Sequence, residues 1–145
     1  MLTIILFQPD IPQNTGNVVR TAAVTGSKLI LVRPLGFSVS SRHLKRAGLD
    51  YWEGVDMQFI DNLEGYLTAT PHPFSFFSSK ATKLYHEQEY SPDHILIFGS
   101  ETTGLPPLYH EKWPEHFVKI PMMPGQRCLN LATSVGIGTY RALYK

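Results

Sequence analysis

The sequence predicts an α/β fold with a mainly parallel sheet, because short apolar runs alternate along the chain with segments of helical character. The first run, Thr3–Phe7 (TIILF), is continuously apolar, as is typical of a strand buried on both faces of a parallel sheet. The chain has 145 residues, of which 43% are hydrophobic, and it shows no repeat or long linker. We therefore expect one domain over residues 1–145 with a substantial core.

Six segments are predicted to be strands of this sheet. In chain order they are Thr3–Phe7, Lys28–Val32, Met57–Ile60, Phe74–Phe77, Ile95–Phe98 and Phe117–Ile120. Each is short and rich in aliphatic or aromatic residues, which favour strands.

Helices are predicted between several of these strands. Asn14 is expected to cap the first helix, and Gly26 stands where that helix would end. Four residues would form its apolar side: Val18, Val19, Ala22 and Ala23. Ser40 or Ser41 is expected to cap a short basic helix over Arg42–Ala47. Two further helices are predicted, near Leu63–Ala69 and over Leu129–Tyr144.

Composition excludes several classes of protein. With 13 basic and 12 acidic residues the formal charge is +1, which argues against gripping nucleic acid by bulk charge. The single cysteine cannot form an internal disulfide and favours a reducing compartment. No apolar run approaches the roughly 20 residues that span a bilayer, and Met1–Phe7 is too short for a signal peptide. We expect a cytoplasmic protein without a membrane partner.

Three segments of unusual composition directly follow predicted strands, where ligands collect in open α/β sheets. They are Gln8–Arg20, Phe98–Pro106 and Ile120–Ala132. The first lacks G-x-G-x-x-G, so it is not a dinucleotide fingerprint, and Gly99 to Gly104 lacks the Lys-Ser/Thr of a P-loop. Ser100 is not in a G-x-S-x-G elbow. The six histidines show no ligand spacing, so no metal is expected.

Simpler interpretations of single residues stay open. Asn14 and Gly16 are also compatible with a cap and a turn, and Arg20 with a solvated helix arginine. Glu101 is compatible with the start of a turn, and Cys128 with a small buried hydrophobe.

Glycines in the last predicted helix suggest close packing. Gly136 and Gly138 each cost about 1 kcal/mol in a helix interior, so we expect another backbone to approach there. Ala132, Gly136 and Tyr140 share one face by their i, i+4 spacing. That face would pack against a partner subunit or a threaded segment.

Three motifs in order carry a family resemblance. N-x-G-N-x-x-R, F-G-S-E-T-T-G-L-P and I-P-M-x-P-x-x-R-C-L-N-L each follow a predicted strand and resemble the motifs of the SPOUT superfamily of RNA methyltransferases. The resemblance covers nearly the whole chain. It is strongest to the small single-domain enzymes that methylate the ribose 2′-hydroxyl of the tRNA wobble nucleotide, which also carry a segment similar to Leu44–Tyr51 (LKRAGLDY).

The resemblance implies a fold, an assembly and a cofactor. Members have a C-terminal trefoil knot, a rare exception to the rule against threaded chains, and form homodimers. They bind S-adenosylmethionine (SAM) in the knot, largely through backbone groups. The positions that match the cofactor-binding set are Phe77, Gly99, Glu101, Gly104, Ile120, Cys128, Leu129 and Asn130.

The resemblance also implies an activity: 2′-O-methylation of nucleotide 34, cytidine or modified uridine, in the tRNA anticodon loop. Arg20 matches the required arginine, with Asn14 and Tyr140 as catalytic neighbours. Because a guanidinium stays protonated, we expect Arg20 to orient the ribose and stabilise negative charge instead of acting as a base. The predicted RNA-binding residues are Asn17, Arg42, Lys45 and Arg46, with Lys28 or Arg33 nearby.

Two alternatives stay open at this point. One is the same chemistry on ribosomal RNA, and the other is an RNA-binding dimer that has lost catalysis. The second draws on two departures from the family pattern, since Cys128 and Ala132 stand where serine is common. Ser100 replaces a usual proline, which we expect to be a mild change.

Overall fold

The computed structural model describes residues 1–38 and 54–144, which form a three-layer α/β arrangement. Six strands make one sheet in the order β3-β2-β1-β5-β4-β6, and every neighbouring pair is parallel. The strands are β1 (Thr3–Phe7), β2 (Lys28–Val32), β3 (Met57–Ile60), β4 (Phe74–Phe77), β5 (Ile95–Phe98) and β6 (Phe117–Val118). The predicted parallel sheet is confirmed, and five strands have the predicted bounds.

β6 is shorter than predicted. It pairs with β4 only through Phe117 and Val118, and beyond them Lys119 makes a single bridge with Leu84. The chain leaves the sheet early because β6 is an edge strand with a neighbour on one side only.

Four helices are described: α1 (Pro12–Thr25), α2 (Leu63–Ala69), α3 (Pro107–Lys112) and α4 (Leu131–Leu143). Two single 3₁₀ turns, Tyr85–Glu87 and Pro114–His116, complete the elements. The sequence did not predict α3 or the 3₁₀ turns. The predicted basic helix Arg42–Ala47 lies outside the described residues. None of the helices in residues 1–38 and 54–144 is long and apolar enough to cross a membrane.

The sheet separates two apolar layers because successive side chains of a strand point to opposite faces. Ile4 and Leu6 of β1 pack with α1 and α4, whereas Ile5 packs with α2 and α3 on the other face. Strands β1, β2 and β5 lie inside the sheet and are almost wholly buried. This burial on both faces explains their continuous apolar sequences. The trefoil knot stays a prediction.

Helix α1 begins differently from the prediction. It starts at Pro12, whose fixed φ suits a first helical position, and its N-cap is Ile11, which offers no side-chain cap. Asn14 is therefore not the cap, and Gly16 is not in a turn: both lie inside the helix and are buried. The predicted end is confirmed, since Gly26 adopts φ +68° and its N–H bonds back to the carbonyls of Ala22 and Ala23.

Helix α4 starts two residues later than predicted. The Asn130 side-chain oxygen accepts hydrogen bonds from the N–H groups of Ala132 (2.9 Å) and Thr133 (3.3 Å), so it caps the helix at Leu131. Gly138 does make a close approach, but to a ring instead of another backbone. A Cβ there would lie 2.9 Å from Cζ of Phe77, which stacks on Phe98.

A buried histidine lies just before β5, at the end of the sheet opposite to the carboxyl ends of the strands. His94 is 2% exposed, and its Nε2 shares a 2.9 Å hydrogen bond with the Ser75 hydroxyl. Burial, and secondarily the charge of His116, lower the pKa of His94 from 6.5 to about 4. The folded protein therefore holds this imidazole neutral.

We predict that His94 makes the fold sensitive to acid. Between pH 6.5 and 4 the unfolded chain takes up a proton that folded His94 resists, so the free energy of unfolding should fall by about 3 kcal/mol as pH decreases. Urea titrations across this range should show a weaker pH dependence for His94→Gln than for the wild type. The matched variant of exposed His72, His72→Gln, should keep the wild-type dependence. Equal slopes for all three proteins would refute the role of His94.

Candidate functional site

A cavity of about 570 Å³ opens at the carboxyl ends of β4, β5 and β6. The segments that follow these three strands form its walls, and the first turns of α1 and α4 close one side. This is the edge where ligands bind in open α/β sheets. Its volume lies within the range of small-molecule sites.

The cavity brings together all eight residues predicted to bind a cofactor. They are Phe77, Gly99, Glu101, Gly104, Ile120, Cys128, Leu129 and Asn130. Asn14, predicted as catalytic, also lines it. Arg20, Asn17 and Tyr140 are not among the lining residues. The predicted RNA contacts Arg42, Lys45 and Arg46 lie outside the described residues.

Glu101 connects the loop after β5 with the start of α1. One of its carboxylate oxygens accepts the N–H of Asp10 (2.9 Å), and the other accepts the N–H of Ile11 (3.0 Å) and the side-chain amide of Asn14 (3.1 Å). The first turn of α1 has no acidic residue of its own. Glu101 thus supplies the negative charge that stabilises the N-terminus of α1, although it lies 90 positions after Ile11 in the chain.

Asn14 extends this connection to α4. Its side-chain oxygen accepts a 3.0 Å hydrogen bond from the Asn130 amide, and Asn130 in turn caps α4 through its own oxygen. The three side chains Glu101, Asn14 and Asn130 form one continuous hydrogen-bond network, which we call the site network. It joins one residue from each of the three polar segments identified in the sequence.

The loop after β5 is held in a tight turn. The backbones of Ser100 and Gly104 bond to each other in both directions, at 3.0 and 3.3 Å, and Gly104 adopts φ +68°. A Cβ on Gly99 would lie 2.5 Å from the carbonyl carbon of Gly104, so this position requires glycine. The Thr102 hydroxyl also donates a short hydrogen bond to the Asp10 carboxylate. The turn therefore presents Glu101 to α1 in a fixed position.

The loop before α4 is open. Residues 121–130 are all exposed, including the single cysteine, Cys128. Among the described residues, the N–H groups of Cys128 and Leu129 have no hydrogen-bond acceptor. They are thus available to a ligand in the cavity that they line. Cys128 is not the buried hydrophobe of the simpler interpretation.

The remaining predicted residues lie outside the cavity. Asn17 and Arg20 are exposed on α1, about 4.5 and 9 Å along the helix axis from Asn14 by the helical rise. Tyr140 on α4 is 48% exposed and stacks on Tyr144. Arg33 makes a two-point ion pair with Asp61, at 2.8 and 3.1 Å. In the part of the chain that the structure describes, no three His, Cys, Asp or Glu side chains lie close enough together to hold a metal ion.

A protein-family model matches nearly the full length of the chain. The model of the SpoU rRNA Methylase family matches residues 1–140. The chain belongs to this family. The resemblance to SPOUT RNA methyltransferases is thereby confirmed.

Individual relatives and solved structures are consistent with membership of the SpoU family. A tRNA (cytidine(34)-2′-O)-methyltransferase of Methylovorus glucosotrophus is 42% identical over 98% of this chain and 94% of its own. A structure solved to study the 2-OH methylation of C/U34 on tRNA is 45% identical, with a TM-score of 0.90 over 99% of this chain and 89% of that one. An AdoMet-bound rRNA methyltransferase of Sinorhizobium meliloti, at 23% identity, shows the same fold (TM-score 0.86, 97% of this chain and 55% of that one).

Sequence reasoning missed one wall of the cavity in this SpoU family chain. Ser78, Ser79 and Lys80 follow β4 directly and line the cavity, and His110 reaches it from α3. The rule that ligands collect at the carboxyl ends of strands applied to β4 as well. The segment matches none of the three motifs, so the sequence does not indicate it as part of the site.

We predict that the Glu101 carboxylate is required for the stability of the site. Glu101→Gln places an amide NH₂ against N–H donors and leaves at least one donor without an acceptor. The free energy of unfolding should fall by about 1–3 kcal/mol. Chemical denaturation of Glu101→Gln and of the exposed control Glu111→Gln, followed by circular dichroism, measures this difference. If both variants unfold like the wild type, the site network does not hold α1.

Proposed function

We propose that this chain is a tRNA methyltransferase that uses SAM to methylate the ribose 2′-hydroxyl of nucleotide 34, a cytidine or modified uridine. The observation that carries the proposal is the assembly of all three motif segments around one cavity. Relatives at 37–42% identity over almost the whole chain are named tRNA (cytidine(34)-2′-O)-methyltransferases, which supports this substrate. Because the proposed substrate is tRNA, we place the enzyme in the cytoplasm.

Two other functions have less support. The name of the SpoU family refers to rRNA, but the rRNA enzyme compared above is only 23% identical, which establishes fold and not substrate. The hypothesis of a non-catalytic RNA-binding dimer is supported only by Cys128 and Ala132, which stand where serine is common in the family. The exposed backbone of Cys128 can still bind a ligand, so replacement of a serine there does not argue for lost activity.

The cavity fits a nucleoside-type cofactor. Its volume of about 570 Å³ suits a molecule of this size, and the N–H groups of Cys128 and Leu129 can recognise an adenine through hydrogen bonds. When bound, SAM supplies a methyl group that the ribose oxygen takes from a positively charged sulfur; the sulfur keeps the bonding electrons and the 2′-hydroxyl loses its proton. No metal is required for this transfer.

The site network positions the groups that act on the reactants. Glu101 fixes the start of α1, and with it the position of Asn17 and Arg20 relative to the cavity. Asn130 fixes the loop that carries Cys128 and Leu129. The network therefore sets the distance between the proposed cofactor wall and the proposed substrate face, and in-line displacement depends strongly on such positioning.

Arg20 acts on the ribose. Its guanidinium cannot accept a proton at neutral pH, but it can donate hydrogen bonds to the 2′-oxygen or the adjacent phosphate and stabilise the negative charge that develops there. Asn17 lies one turn before Arg20 on the same side of α1 and holds the ribose. Tyr140 contacts the substrate or Arg20, and Arg42, Lys45 and Arg46 bind the anticodon loop.

The enzyme acts as a homodimer through the open face of α4. A Cβ on Gly136 would meet no atom within 4 Å, and Tyr140 of this helix and Tyr144 directly after it expose stacked rings. Exposed aromatic side chains are typical of protein interfaces. The dimer would double the small formal charge of +1 to only +2, so RNA binding depends on local clusters of basic residues.

We predict that the purified protein transfers labelled methyl from SAM to tRNA, and that mapping places the label on the ribose of nucleotide 34. Arg20→Ala should lose turnover by about 100-fold or more, as expected for a group that stabilises charge in the transition state. Arg20→Lys tests whether a positive charge at this position is sufficient for turnover. Binding of S-adenosylhomocysteine should be nearly unchanged in both variants.

Two results would contradict this assignment. Cofactor binding without methyl transfer to any tRNA would exclude the wobble activity. Loss of cofactor binding in Arg20→Ala would mean that Arg20 is structural.

We predict a dimer of twice 16.4 kDa in light scattering after gel filtration. Gly136→Gln adds a side chain that the single chain has room for but an interface does not, so it should shift the mass towards the monomer. Thr68→Gln, at an exposed position of α2 on the opposite side of the sheet, is the control. A monomeric wild type would exclude the dimer, and a dimeric Gly136→Gln would exclude this face.

A further inference from the structure

Two cationic side chains line the cavity without a carboxylate partner among the described residues, Lys80 on the wall that follows β4 and Arg127 on the loop before α4. His110 lines the same cavity, within range of the Lys80 charge. Among the described lining residues the sole carboxylate is Glu101, and its two oxygens already accept three hydrogen bonds. The charge of Lys80 therefore has no counter-charge within the cavity wall.

The groups on this wall are held in place by their surroundings. The His110 ring stacks on Phe117 of β6, with centroids 4.0 Å apart. The Lys80 N–H donates to the Ser78 hydroxyl at 3.2 Å, and the Ala81 N–H donates to the Ser78 carbonyl at 3.2 Å, which closes a turn directly after β4. The backbone of Lys80 is thus fixed, and the His110 imidazole, also held in a fixed orientation, lines the same cavity.

We propose that Lys80 and His110 form an oxyanion subsite of the cavity, which binds a carboxylate or phosphate group of a reactant. This inference rests on the proposed function, which supplies two sources of such a group. One is the carboxylate on the methionine part of the cofactor, and the other is a phosphate of the RNA backbone. A lysine ammonium and an imidazole N–H both donate hydrogen bonds to oxyanions, and charge-assisted hydrogen bonds of this kind are strong.

His110 provides a readout that does not depend on activity. Burial, and secondarily the neighbouring Lys80 ammonium, lower the pKa of His110. An anion bound between the two side chains would counteract the Lys80 charge and favour the imidazolium form. Its arrival should therefore raise the pKa of His110 in an NMR titration, whereas a ligand that binds elsewhere in the cavity should not.

The test compares Lys80→Gln and His110→Phe with a matched control. His110→Phe keeps a ring against Phe117 but removes both nitrogens. Lys83→Gln makes the same charge change as Lys80→Gln on an exposed lysine that bonds to Gln88 and does not line the cavity. Circular dichroism checks that each variant is folded. Calorimetry then measures the dissociation constants for S-adenosylhomocysteine, for 5′-methylthioadenosine, which lacks the carboxylate, and for tRNA.

Two outcomes support the subsite and identify its ligand. If Lys80→Gln weakens binding of S-adenosylhomocysteine about ten-fold or more and leaves 5′-methylthioadenosine unaffected, the subsite binds the cofactor carboxylate. If it weakens tRNA binding and lowers the salt dependence by about one charge, with S-adenosylhomocysteine unaffected, the subsite binds RNA phosphate. In either case His110→Phe should weaken the same ligand, and Lys83→Gln should bind like the wild type.

The opposite results separate this inference from the proposed function. A wild type that binds both reactants, with Lys80→Gln and His110→Phe binding equally well and no change in the pKa of His110, would overturn the subsite alone. A wild type that binds neither S-adenosylhomocysteine nor tRNA would overturn the proposed function, and the subsite with it.

Discussion

The Glu101 carboxylate is the interaction on which the geometry of the site depends. It belongs to the loop after β5, yet it accepts hydrogen bonds from the start of α1 and from Asn14, which passes the connection on to Asn130 at the start of α4. The apolar layers determine where the sheet and helices lie. The position of the three segments relative to one another depends on this small polar network, in which loss of one member leaves the others without partners.

Five of the strands, helix α2 and the end of α1 could be predicted because their signals are local. Thr3–Phe7 and Ile95–Phe98 are apolar since both faces of the sheet are covered, and Gly26 ends α1 by its left-handed conformation. Helix α3 was not predicted because its six residues, which start with a proline, are too few to show helical periodicity. β6 ended early because a strand at the edge of the sheet has one neighbour to hold it.

The same distinction explains what the sequence could and could not predict about the site. Asn14 has the residue type of a helix cap, but its hydrogen-bond partners are 87 and 116 positions away, and spacing along the chain cannot reveal them. The motifs led to the eight predicted residues that line the cavity because these motifs recur as a group in one family. Lys80 and His110 belong to no motif, and only the fold places them at the same cavity.

A double-mutant cycle between Asn14 and Asn130 tests the central claim most directly. Isothermal titration with S-adenosylhomocysteine would compare the wild type, Asn14→Ala, Asn130→Ala and the double variant. If the site network assembles the cavity, the two losses of binding free energy should be non-additive by about 1 kcal/mol or more. Losses that add to within about 0.5 kcal/mol would show that the segments act independently, and would contradict the account.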